Sequence, residues 1–334
     1  MNNKGTVMKI PIIKYTAVFL VSFFTLTGLK AQETPTEKIS ARDSIIQSFQ
    51  NKQIDTTYIF EWDKDSNQWK VYGRKLHFYK TKHQVVAQYE QRWNNNSKKW
   101  ENKKRVLKSY NDQGEVIENL RQQWKEALED WMNVELKTIT YDSKGNKSEI
   151  LYQEWKKAVG KWFSTVRYLI EYNRKGEKSN ILIKIFKPGI GKWFDHQKYS
   201  FYYYNGFGAP DKAIVDSWDQ EEKRWEKRGR YLMRHNFRSQ KTQETRATWN
   251  PGLNKWINGV QYNFEYSKKN KTGEILKYWD YNEKIWNNAT KKEFIYNEKD
   301  ELSEKLFYRW NSSKNEWVLK QRLHFSKEKP QIPE

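Results

Sequence analysis

Side chains able to coordinate, transfer protons or carry charge single out few sites in this chain. The segment WDKDSNQW (62–69) sets Asp63, Asp65 and Asn67 at alternate positions, as at the start of a calcium loop. It lacks the glycine and the distal glutamate that complete such a loop. The five histidines (His77, His83, His196, His235 and His324) follow no metal-ligand spacing. Nothing matches a Gly-rich phosphate loop or a nucleophile elbow. Carboxylates are plentiful enough for a glycosidase pair, but none stands out. No catalytic residue, metal or cofactor is therefore expected. What does recur is a cation: Arg74, Arg105, Arg167, Lys198, Arg230, Lys291 and Arg322 are separated by about 31 residues or twice that.

Such a row permits two kinds of chemistry. As a track it would bind a linear polyanion, or stack guanidiniums on sugars. As a solvated face it would pair with neighbouring Glu and keep an open sheet from aggregating. A second region of interest is FYYYNGFG (201–208), where Phe201, Tyr202, Tyr203, Tyr204 and Phe207 form a candidate aromatic contact surface. It follows an irregular hairpin, expected to be reshaped by Pro188 and Gly189.

The elements that must position these residues come from a repeat. First aromatics fall at Trp62, Trp93, Trp124, Trp155, Phe186, Trp218, Trp249, Trp279 and Trp310, and each is followed seven residues later by a second Trp. All 17 tryptophans of the chain fill these positions, with Phe186 in the one left over. A third aromatic lies ten residues past the second Trp, at Tyr110, Tyr141 and Tyr172 among others. It opens turns such as YNDQGE and YDSKGN, where Asn or Asp followed by Gly supplies a positive φ. Two turns per 31 residues leave two strands of about ten residues each.

The chain therefore reads as all-β: nine antiparallel hairpins in tandem, a β-meander forming an open twisted or superhelical, solenoid-like sheet. An odd number of hairpins disfavours a propeller of four-stranded blades. Each Trp pair should face across its hairpin. A mostly apolar series eight residues after the second Trp (His77, Lys108, Ile139, Ile170, Phe201, Met233, Phe264, Phe294 and Phe325) is expected on the Trp face, and the cations on the opposite one. Keeping both belts on one face requires a bulge or an odd-length loop at the Gly turn. On this register Lys75, Lys104, Glu135, Lys137, Lys227 and Lys292 lie mid-strand on the Trp face. Those charges argue against a barrel in the outer membrane.

The Tyr-Asp-x-x-Gly turn at 141–145, with its relatives at 110 and 172, resembles the YD (Rhs-type) repeats of secreted and surface proteins. Combined with Trp-x6-Trp, it is similar to the tandem β-repeats of exported Bacteroidetes proteins, over about residues 57–327. The resemblance implies an extracytoplasmic β-array and carries over no catalytic residue. Many such proteins carry a C-terminal sorting domain; here residue 334 follows almost directly on the ninth repeat.

Residues 1–31 read as a secretory signal, with Lys4, Lys9 and Lys14 before the apolar run 15–29 and Ala31 at the cleavage point. Residues 32–56 read as a linker with room for one short helix, 57–327 as the repeat domain and 328–334 as a disordered tail. The formal charge is +21, and losing residues 1–31, with four lysines and no acid, leaves +17. There is no cysteine, so an exported chain must be stable without disulfides. The expected function is a non-enzymatic exported scaffold, periplasmic or extracellular, with no transmembrane span after cleavage. Its expected partner is an anionic polysaccharide, lipopolysaccharide or other envelope polymer. The alternatives are a carbohydrate-binding module using exposed Trp and Tyr, and a glycan-active enzyme.

Overall fold

The computed structural model describes residues 54–81, 83–204, 206 and 208–330. The signal segment, most of the linker and the last four residues of the tail lie outside the described residues. The first strand takes in 54–56, which the sequence had placed in the linker.

The eighteen strands are β1 (Ile54–Asp63), β2 (Gln68–Thr81), β3 (Gln84–Asn94), β4 (Lys99–Tyr110), β5 (Val116–Lys125), β6 (Asp130–Tyr141), β7 (Lys147–Lys156), β8 (Lys161–Tyr172) and β9 (Lys178–Lys187). They continue with β10 (Lys192–Tyr202), β11 (Lys212–Asp219), β12 (Arg224–His235), β13 (Lys241–Asn250), β14 (Lys255–Ser267), β15 (Asn270–Asp280), β16 (Ile285–Tyr296), β17 (Leu302–Asn311) and β18 (Glu316–Ser326). Each pairs antiparallel with its neighbours in sequence, and β1 also pairs with β18 through Tyr58↔Ser326 to Glu61↔Leu323. The sheet is thus a closed up-and-down barrel of 18 strands, not the open or superhelical meander expected from the repeat. Closure removes both sheet edges and leaves no unpaired edge strand to protect.

The bend that closes the ring has a local origin. In each hairpin one extra residue, three after the second Trp, is left out of the ladder: Lys103, Val134 and Thr165 are examples. A bulge of this kind bends and twists its strand, and here it recurs in all nine units. A second bulge stands opposite the Tyr marker at most junctions between repeats, as expected, but is missing between β10 and β11.

The mid-hairpin bulge has a large consequence for the faces. Side chains directly opposite in a ladder share a face. Arg105 stands opposite Tyr89 and Gln122, and Arg74 opposite Tyr58. The basic row therefore lies on the Trp face, whereas sequence alternation had placed it on the other. The same one-residue shift moves the series from His77 to Phe325 to the opposite face. Lys75, Lys104, Glu135, Lys137 and Lys292 move with it, and only Lys227 stays on the Trp face.

Packing is that of a single-layer wall. All nine aromatic pairs meet across their hairpins at 4.9 to 5.3 Å between ring centroids, tilted by 56 to 74°. Each pair adds roughly 0.5–1.5 kcal/mol beyond its buried area. The densest cluster, Ala87, Leu107, Leu120 and Leu136, is packed against by Phe78, Tyr89 and Trp162. At the far end, the Tyr110, Tyr141 and Tyr172 hydroxyls donate to the carbonyls of Val85, Val116 and Lys147, each 25 residues earlier. These bonds cap the ladder where it runs out.

Candidate functional site

The bulge and the strand tilt together bring six of the seven basic residues of the row to the second Trp of the following repeat. The Arg74 guanidinium carbon lies 4.4 Å from the Trp100 centroid, Arg105 4.7 Å from Trp131, and Arg167 4.6 Å from Trp193. Lys198 lies 5.1 Å from Trp225 and Arg230 5.3 Å from Trp256. Arg322, in the last repeat, lies 5.0 Å from Trp69 in the first and so carries the contact across the closure. Lys291 departs from the pattern: it pairs with Glu293 at 2.5 Å and sits over Tyr308 at 5.2 Å.

Hydrogen bonds hold these cations further. Arg74 Nε donates to Gln91 Oε1 at 2.6 Å, and Gln91 donates on to Asn102 at 2.8 Å. One repeat later, Arg105 Nε donates to Gln122 Oε1 at 2.5 Å and Gln122 to Asn133 at 2.8 Å. Arg322 makes a two-point contact with Glu304, at 2.8 and 3.0 Å, and Arg167 pairs with Glu149 at 3.0 Å. Burial holds the Arg74 and Arg230 guanidiniums below the ordinary arginine range, while the hydrogen bond that Arg322 donates to Glu304 holds Arg322 above it. Arg105 is 7% exposed and the other six are half-buried. The row is a structural element of the wall, filled by cations in seven of the nine repeats. Its heads point at tryptophan faces and amide oxygens within the sheet.

A slot with no cation makes the same point. Leu136 occupies the position of the row in the third repeat, and its cluster is covered by Trp162 of the fourth. An aliphatic side chain covers the next Trp there as an arginine stem does elsewhere.

The aromatic segment is split by the fold. Phe201 stacks on Tyr199 at 6.4 Å, and the Tyr203 hydroxyl donates to the Lys178 carbonyl at 2.9 Å. Tyr202 (39% exposed) and Tyr204 (68%) face solvent, with Lys212 Nζ 4.3 and 5.6 Å from their centroids. Phe207 lies outside the described residues. The Pro188–Gly189 hairpin is not reshaped: Phe186 still faces Trp193 and Lys187 still faces Lys192.

The calcium-loop fragment is a turn cap. Asp63 accepts from the Asp65 amide at 3.2 Å and the Ser66 hydroxyl at 2.7 Å, and it pairs with Lys70. Lys70 first, then Ser66, holds its pKa down at about 2. Among the described residues, no group of three or more His, Asp or Glu is placed to hold a metal ion.

One cationic feature escaped the sequence reading. Lys99, Lys161, Lys192, Arg224 and Lys255 each stand directly before a second Trp, all exposed at the first position of their strands. Alternate turns of an up-and-down barrel share an end, so these five decorate one rim. The signal was present in the repeat alignment, one column before the tryptophans.

No family model and no curated protein matches the chain. Among solved structures, a protein of unknown function from Bacteroides fragilis is 13% identical over 46% of this chain and 89% of that one, with a TM-score of 0.26. A DUF3836 family protein from Bacteroides vulgatus is 16% identical over 37% and 91%, with a TM-score of 0.21. A porin-like protein from Bacteroides uniformis is 10% identical over 82% and 97%, with a TM-score of 0.36. At these scores the likenesses carry no argument about what this chain does.

Proposed function

We propose that the chain is an exported, non-enzymatic scaffold that holds an anionic polymer of the cell envelope or its surroundings. The observation that carries this reading is the rim: five of nine hairpins present an exposed Lys or Arg at one end of the ring, and of these Arg224 alone is ion-paired among the described residues, with Glu226 at 3.0 Å. A net charge of +17 after signal removal adds long-range attraction. The mid-wall row contributes little to binding because its cations are already engaged. Its work is to tie each repeat to the next.

The wall itself stands outside hydrocarbon in this reading. Both faces carry charge in mid-strand, with Arg105 and Lys184 on one and Lys104 and Glu135 on the other. A cation facing lipid at the bilayer midplane costs roughly 2–4 kcal/mol. Residence in the periplasm or on the cell surface agrees with the signal segment.

Retention of the mature chain on immobilised heparin tests the reading. Binding should weaken steeply with salt, as counterion release requires. Retention unchanged between low and moderate salt would rule out the anionic polymer.

A further inference from the structure

The same rim carries exposed apolar side chains where hairpin tips are ordinarily polar. Leu128, Val159, Ile190 and Leu253 each lie four residues after the first aromatic of their repeat, and are 60, 48, 58 and 51% exposed. The first three occupy consecutive tips, about 10 Å apart along the rim at two strand spacings. A single-turn helix lifts Leu128 and another lifts Val159 to its tip. At the equivalent position the other repeats have Ser66, Ser97, Glu222, Glu283 and Lys314. The apolar residues are therefore not demanded by the turn itself.

Three of these tips hold no acid, two with lysine on both shoulders and the third with lysine on one. They read KKAVGK (156–161), KPGIGK (187–192) and NPGLNK (250–255). The fourth, KEALED (125–130), is acidic, and its Glu126 is paired with Lys103 at 3.4 Å. An apolar apex on a basic shoulder matches the layered chemistry of a bilayer surface, with anionic headgroups outside and acyl chains beneath. A soluble polyanion would use the shoulders and leave the apices in water.

We infer that this rim docks on an anionic lipid bilayer, inserting the tips of Leu128, Val159, Ile190 and Leu253 among the headgroups. The inference rests on the cationic rim proposed above and narrows its partner to a lipid surface. The wall remains upright in solvent, so docking is interfacial and reversible.

Co-sedimentation with vesicles tests it, using the mature chain from Gln32, which keeps all eighteen strands. Binding is expected to vesicles of mixed phosphatidylcholine and phosphatidylglycerol, and to be at least about tenfold weaker to phosphatidylcholine alone. The tip variant L128S/V159S/I190S/L253S should lose about tenfold or more in vesicle binding, yet elute from heparin where the parent does. These substitutions lie at exposed tips, and an unchanged melting temperature would show that the fold is kept. Tryptophan emission should shift little, since the Trp pairs lie below the tips. If heparin retention persists and anionic vesicles do not bind, the lipid inference fails while the polymer reading stands. If neither binds, both fail. If the tip variant binds vesicles as the parent does, the apices are not inserted and the inference is overturned.

Discussion

Two sets of basic side chains circle the barrel, one five residues after the second Trp of a repeat and one immediately before it. Six residues separate them along the strand, and their surroundings differ completely. Arg105 is 7% exposed, stacked on Trp131 and bonded to Gln122, whereas Lys99 starts the same strand in full view of solvent. Repetition alone does not distinguish them, since both recur at the period of the array. What separates them is a single skipped residue, Lys103 in this repeat, which turns the first set into the tryptophan face. A cation repeated through a structure is evidence for a binding track only once its head has been shown to be unoccupied.

The comparison breaks most easily at Arg105. Arg105→Ala should cost about 2–4 kcal/mol, because it strips the cover from Trp131 and removes the donor from buried Gln122. Arg105→Met keeps the cover and should cost less than half as much, with both read from urea midpoints. An equal loss in the two variants would mean that charge, not coverage, is what the slot needs. At the rim the expected sign is opposite. Lys98 and Lys223 hold φ of 51 and 50°, where a side chain is strained. Lys98→Gly and Lys223→Gly should each stabilise the barrel by up to about 1 kcal/mol, partly offset by the looser unfolded chain. Smaller still is the effect of removing rim charge: K161Q/K192Q/K255Q should move stability by no more than about 0.5 kcal/mol per site.

Acid separates the two regions in another way. Burial holds His77 and His235, on wall strands, and His196, at a bulge, below the ordinary histidine range. In the unfolded chain all three protonate near pH 6.5, so their contribution is complete above that value and is lost as pH falls through their lowered folded values. At the rim, the amides of Glu222 and then Glu221 hold the Asp219 carboxyl down. Its contribution lasts to lower pH and disappears only as pH falls through the depressed carboxylate value. Melting temperature should thus fall in two steps, and His77→Gln, His196→Gln and His235→Gln together should flatten the upper one alone. A single step below pH 4 in the parent would contradict this assignment.

Much of this architecture is legible in the sequence. The seven-residue Trp spacing gives the nine hairpins and their facing pairs, and the Asn or Asp with Gly gives the turns where Gly114, Gly145 and Gly176 take φ of 78 to 79°. Closure is not legible, because it depends on a small bend per repeat summed over nine, and no residue type announces the bulge. Val134, Thr165 and His196 fill that position with quite different side chains. Missing it put the cations on the wrong face. The Gln and Asn that receive Arg74 and Arg105 were equally hidden, since they look like ordinary polar positions until the ladder sets them opposite a guanidinium.

The division between row and rim is tested most directly by two variants with the same loss of charge. R74M/R167M/R230M removes three cations from the wall while keeping Trp100, Trp193 and Trp256 covered, and K161Q/K192Q/K255Q removes three from the rim. Compared on heparin across a salt gradient, the rim variant should elute at clearly lower salt, its log–log salt slope reduced by about two to three. The wall variant should elute close to the parent. Equal shifts would show that only net charge matters, and a larger shift for the wall variant would return the binding track to the row and contradict the account.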